Sequence, residues 1–186
     1  MDTLVDTAPA SVSAALRRLY LLRFAFAAVW AGLLFTTADS LGPLAATLLV
    51  LYPLFDAACA VADLRSARAD GSAVRGLYVN LALSALTGFA LAVAAASGIQ
   101  AVLQVWGVWA ITAGVTQVTV GVVRRRLGGQ WAMIASGSIS TLAGASFVAQ
   151  ASKDGATLTN VAGYALLGGI FFLVSALRLK ADGKPA

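Results

Sequence analysis

The chain contains no histidine and no glutamate, and its eight acidic residues are all aspartates. Those absences remove most ordinary metal sites, imidazole proton shuttles and histidine-based hydrolytic triads. Cysteine occurs once, as Cys59, so no intrachain disulfide can form. Inside an apolar run this thiol reads as a small buried apolar side chain. Charge is scarce at 11% of residues, against about 25% in a soluble domain. No P-loop or dinucleotide fingerprint is present, and Gly128-Gly129 reads as a turn. No enzyme, metal or cofactor is therefore expected.

What fills the 186 residues is apolar: 60% come from the hydrophobic set. A water-soluble fold of this length cannot hide that much apolar surface, which makes the chain an all-α, polytopic membrane protein. Six stretches are expected to cross the bilayer: Leu19–Ala38, Pro43–Ala62, Leu77–Ser97, Val102–Val123, Ala132–Gln150 and Leu158–Leu177. Each is close to the ~20 residues that span a ~30 Å hydrocarbon core as a helix. Helix is the state that satisfies backbone polar groups within each segment.

The connections alternate in charge. Asp39–Gly42, Gly98–Ala101 and Ala151–Thr157 are short and nearly free of cations. The other ends carry Arg17 and Arg18, then Arg65, Arg68 and Arg75, then Arg124, Arg125 and Arg126, then Arg178, Lys180 and Lys184. The positive-inside rule places these basic loops and both termini in the cytoplasm. The net charge of +5 then belongs to a basic rim against anionic lipid headgroups, Arg124, Arg125 and Arg126 included, and not to nucleic acid. Residues 1–16 form a cytoplasmic tail. Pro9 to Leu16 within it is able to form a short helix lying on the membrane surface. The tail beyond Lys180 reads as disordered.

Slid against itself, the sequence repeats without gaps every 56 residues. Ala28 and Gly32 become Ser84 and Gly88, then Ser140 and Gly144; Leu48 becomes Gln104 and Asn160; Arg68 becomes Arg124 and Lys180. Three parallel two-helix units follow, 17–72, 73–128 and 129–180, compatible with an approximate three-fold arrangement. Gly32, Ser84, Gly88, Ser136, Ser140 and Gly144 are expected at helix contacts, where small residues let backbones approach in a lipid solvent. Packing within one protomer is the first reading of such stripes. A homo-oligomer or a partner membrane protein is the second.

Polar residues inside spans are functional candidates by default. Arg23 and Asp56 would each cost ~2.5–3.5 kcal/mol at a helix centre. They fall on adjacent antiparallel spans in the same leaflet, ~6 and ~10 Å from its surface. A direct pair is within reach. The alternatives are Arg23 reaching the headgroups while Asp56 faces a polar cavity, and an Asp56 that handles protons or ions. Pro53 should kink the second span and free a carbonyl. Gln104 and Asn160, at equivalent repeat positions, are candidates for an outer vestibule or for interhelical hydrogen bonds. Tyr20, Tyr78 and Trp131 read as an inner aromatic belt.

The lines LYPLFDAACAVADLRSAR (Leu51–Arg68), VWAITAGVTQVTVGVVRRR (Val108–Arg126) and YALLGGIFFLVSALRLK (Tyr164–Lys180) resemble the HdeD acid-resistance membrane protein family. The family's even helices often carry an Asp-Gly pair. Here the first repeat keeps the acid, as Asp56-Ala57, where the others have Thr112-Ala113 and Gly168-Gly169. The resemblance implies a six-helix bacterial inner-membrane protein tied to stress or acid resistance, with a non-enzymatic role. A small transporter or channel with a polar path near Asp56 is the alternative, and a structural subunit of a membrane complex is another.

Overall fold

A computed structural model of the chain describes residues 8–70, 74–127 and 130–179. Six helices account for nearly all of them: α1 (Ala8–Phe35), α2 (Pro43–Asp70), α3 (Val74–Ala95), α4 (Ile99–Val123), α5 (Gln130–Gln150) and α6 (Thr159–Arg178). A 3₁₀ turn, Arg125–Leu127, links α4 towards α5. Among the described residues there is no strand. All six helices are long and apolar enough to cross a membrane, so the expected all-helical, six-span class is the one observed. Pro9–Leu16 is not a separate surface helix; it is the first part of α1, which continues without a break into the span. The tails 1–7 and 180–186 lie outside the described residues.

Each helix packs antiparallel on its neighbours in the chain, and α6 returns to α1 to close a ring. The α2–α3, α4–α5 and α6–α1 seams, which join successive two-helix units, are the more extensive. At the short-loop end the α1–α2 and α5–α6 turns are tied by a bond from the Leu158 amide to the Ala38 carbonyl, 3.1 Å. Gly98 starts α4 with a φ of +100°, a left-handed conformation that favours a residue without Cβ.

The α4–α5 seam is set by glycines seven residues apart. A Cβ at Gly107 would lie 2.7 Å from the Gly144 carbonyl, and one at Gly114 would lie 2.6 Å from the Gly137 carbonyl. Antiparallel backbones therefore touch at two levels, gaining dispersion contact where lipid provides no hydrophobic drive. Gly88 instead lies close against the Leu54 side chain, and Gly169 against the Ala27 methyl group. Ser84, Ser136 and Ser140 are buried. Gly32 departs from the expectation: it is exposed and a Cβ there would touch nothing within 4 Å. Its helix turns that face outward, so it packs no neighbour within the chain.

The interior is graded along the ring axis. Towards the short loops it is dry, filled by Trp30, Leu34, Leu49, Leu91, Leu103, Trp106, Phe147 and Leu158. The outside carries large apolar side chains such as Val29, Leu86, Phe89 and Leu142. The serines and the two charge pairs are buried while the outward faces are largely apolar, the distribution that a lipid surround calls for.

Candidate functional site: a polar shaft inside the ring

All six helices line one cavity of about 110 Å³ in the half of the ring nearer the basic loops. At 1.5 Å per residue its lining on α5, from Gln130 to Ser140, runs roughly 15 Å along the axis. At about 10–15 Å³ of such volume per water, this shaft has room for several waters.

Asp56 lies beside the shaft on α2, and three donors converge on it. Nη1 of Arg23 (α1) donates to Oδ1 at 2.6 Å; Nδ2 of Asn80 and the hydroxyl of Ser84, both on α3, donate to Oδ2 at 2.7 Å each. The Ser84 oxygen in turn accepts from the Trp109 indole on α4 at 3.1 Å. Arg23 also lies over the Phe172 ring of α6, with Cζ 5.0 Å from its centroid. One carboxylate thereby ties together five of the six helices. Among the arrangements open to Arg23 and Asp56, the observed one is the direct pair.

Pro53 is buried within an unbroken α2. Proline leaves the carbonyl of Leu49 without its helical donor. The side chain that reaches this stretch is Trp30, whose indole donates to the neighbouring Leu48 carbonyl at 2.6 Å. Trp30, Tyr52, Trp106 and Trp109 then form a cluster with ring centroids 4.7–5.9 Å apart. Tyr52 and Trp109 line the upper end of the shaft, so this aromatic cluster closes it.

The lower end is closed by a polar layer. Nη1 of Arg124 donates to both oxygens of Asp63 at 2.8 Å, crossing from α4 to α2 past α3. Arg124 is 4% exposed. It is therefore a buried cross-ring contact and not one of the lipid-facing cations expected from the Arg triplet; Arg125 and Arg126 are exposed. Asp63 escapes the sequence reading because it falls just past the second apolar stretch. A signal was available: it stands seven residues after Asp56, two helical turns on and on the same face. Tyr20 is buried in the same layer against Phe172, 5.6 Å between centroids, so it is not part of an interfacial belt. Tyr78 and Trp131 are exposed, and Arg178 stacks over Trp131 at 5.0 Å.

Gln104 and Asn160 do not join the site. Both are exposed on the outside of the ring, and Asn160 donates to the Gln150 side chain at 2.7 Å. Their repeat counterpart Leu48 is buried: positions 56 residues apart do not share an environment here. Of the two readings open to these residues, the interhelical hydrogen bond is the one Asn160 shows, from α6 to Gln150 of α5, and the dry plug lies where a vestibule would be. Compared with protein-family models, with curated proteins and with solved structures, the chain matches none.

Proposed function

We propose that this protein is a small transporter of the inner membrane, with its basic loops and both termini in the cytoplasm and the shaft as the cytoplasmic half of its path. The observation that carries the reading is a cavity lined by all six helices, with largely apolar walls, that a charged pair at mid-depth borders. The asymmetry of its two ends supports a direction of access. Water can replace the hydrogen bonds of the Asp63–Arg124 layer, whereas wetting the Trp30–Trp106 plug strands apolar surface. A non-enzymatic role fits this reading. The HdeD resemblance adds a setting, stress or acid resistance, carried by the three sequence lines alone.

Thiol labelling tests the path. In a Cys59→Ser background, single cysteines replace Ser136, Ser140 and, in the plug, Leu103. A small charged thiol reagent is applied to spheroplasts and to inverted vesicles. The expected result is reaction at Ser136→Cys and Ser140→Cys in inverted vesicles only, with Leu103→Cys inert in both. Shaft positions that no reagent reaches, or that react equally from both sides, overturn the reading. The setting is tested by survival of cells after acid challenge, comparing empty vector, wild type and Asp56→Asn at matched membrane levels. Wild-type protection that Asp56→Asn abolishes supports a charge-dependent role, and no protection by either removes the acid setting.

A further inference from the structure

We propose that the shaft takes an uncharged aromatic molecule bearing a hydroxyl group, held between an aromatic wall and a neutral polar wall on which Gln117 receives the hydroxyl. This rests on the transport reading above and names its substrate class.

The lining of the shaft differs from one arc of the ring to the other. The contiguous helices α6, α1 and α2 supply its aromatic residues: Tyr20 and Phe26 from α1, Tyr52 and Phe55 from α2, Tyr164 and Phe172 from α6. Trp109 of α4 adds one more at the closed end. The contiguous helices α3, α4 and α5 supply small and uncharged residues instead, with Gln117, Gln130, Ser136 and Ser140 as polar groups. Among the described residues this second arc places no acid and no base on the shaft.

Charge excludes ions. The charged residues that line the shaft, Arg23, Asp56 and Asp63, all belong to the aromatic arc. They are already matched, Asp56 by Arg23 and Asp63 by Arg124. An ion leaving water for this space finds no counter-charge of its own, which is strongly disfavoured. The aromatic wall has its cation too, since Arg23 lies over the Phe172 ring. A neutral guest meets none of these barriers.

The walls favour a ring over an aliphatic chain. Aromatic pairs gain from offset-stacked and edge contacts beyond the area they bury. The arc already shows both geometries: Phe26 stacks on Phe55 at 3.7 Å between centroids, and Tyr52 meets Trp109 edge-on at 5.9 Å. The facing wall suits a hydroxyl. Gln117 spends one amide hydrogen on the Met133 carbonyl at 3.3 Å, and an amide has a second hydrogen and an oxygen besides. Apolar walls with a few convergent polar groups are the usual build of a small-molecule site. The cavity's 110 Å³ is of the same order as the ~150 Å³ apolar cavity that takes up benzene.

The test uses the full chain in inverted vesicles and reads protection from thiol labelling. Ser136→Cys in the Cys59→Ser background is the reporter, and Arg125→Cys at the exposed rim is the control. Phenol is the probe, cyclohexanol its aliphatic match, and benzoate and benzylammonium its charged counterparts. The expected result is that phenol slows labelling at Ser136→Cys and leaves Arg125→Cys unchanged. Half-protection by phenol should need a concentration at least about threefold lower than by any of the other three. Gln117→Leu should weaken protection by phenol about threefold to tenfold, the range one neutral hydrogen bond supports. Phe55→Leu, which keeps an apolar side chain and removes a ring, should weaken phenol and leave cyclohexanol unchanged, and serves if Gln117→Leu does not fold. No protection by phenol, equal or better protection by cyclohexanol or by either ion, or unchanged protection in the folded variants each overturn this assignment. Failure here with one-sided thiol labelling intact would leave the transport reading standing, and failure of the labelling itself would remove both.

Discussion

Removing either partner of the Arg23–Asp56 pair should cost more than removing both. The two side chains are each 14% exposed, and the exposure is towards the shaft. Surface ion pairs contribute ~0–1 kcal/mol, but stripping one member of a buried pair costs ~3–5 kcal/mol, because a charge is left in a poor solvent. Arg23→Met would leave the Asp56 carboxylate with Asn80 and Ser84 as its donors. Asp56→Asn would leave the guanidinium facing an amide with a single acceptor oxygen, while three donors compete for it. In the double variant no charge remains, and the Asn oxygen still accepts from Asn80 and Ser84. Its loss is expected to be about 1–2 kcal/mol, the cost of one poorly satisfied polar group. Reversible unfolding of the four proteins in mixed micelles, read by tryptophan fluorescence, gives the cycle. Single variants that lose less than ~1 kcal/mol, or single losses that simply add in the double, would show that the pair is not coupled as argued.

Three further outcomes follow from the geometry. Gly107→Val and Gly114→Val place atoms on carbonyls of α5 and should each lose about 2–3 kcal/mol, whereas Gly32→Ala should gain up to about 1 kcal/mol from helix propensity; the same unfolding assay separates them. Arg124→Met strands Asp63 in the polar layer and should lose ~3–5 kcal/mol, while Arg125→Met and Arg126→Met should stay within ~0.5 kcal/mol; equal losses for all three would contradict the buried assignment. Gln104→Leu should leave unfolding unchanged and leave thiol labelling of Ser136→Cys unchanged, since its side chain is outside the ring.

The spans were legible because crossing a bilayer demands long apolar helices. The Arg23–Asp56 contact was within reach because two costly charges fell in one leaflet of neighbouring helices. The facing of individual residues was much less legible. In water, a helix declares its buried face by alternating apolar with polar residues. In lipid both sides are apolar, so the contrast shrinks to small against large. Gly32 and Gly88 look alike in sequence, yet one faces outward and the other meets Leu54. Helix rotation about its own axis decides between them, and a 56-residue period carries no information about rotation.

The same reasoning explains Arg124 and Asp63. An arginine in a run of three at a helix end reads as part of a solvated rim, and so Arg125 and Arg126 are. Arg124 differs because α4 ends there, and its backbone N–H caps the helix on the Val120 carbonyl at 2.9 Å. Arg124 is the C-cap residue just past Val123, and its side chain reaches across to where α2 has continued past the apolar stretch to present Asp63. Extending α2 to Asp70 is what brings a second acid into the interior. Two charge pairs, one at mid-depth and one at the basic end, then bracket the polar part of the axis. Each adds no net charge, so the interior stays wettable without attracting ions.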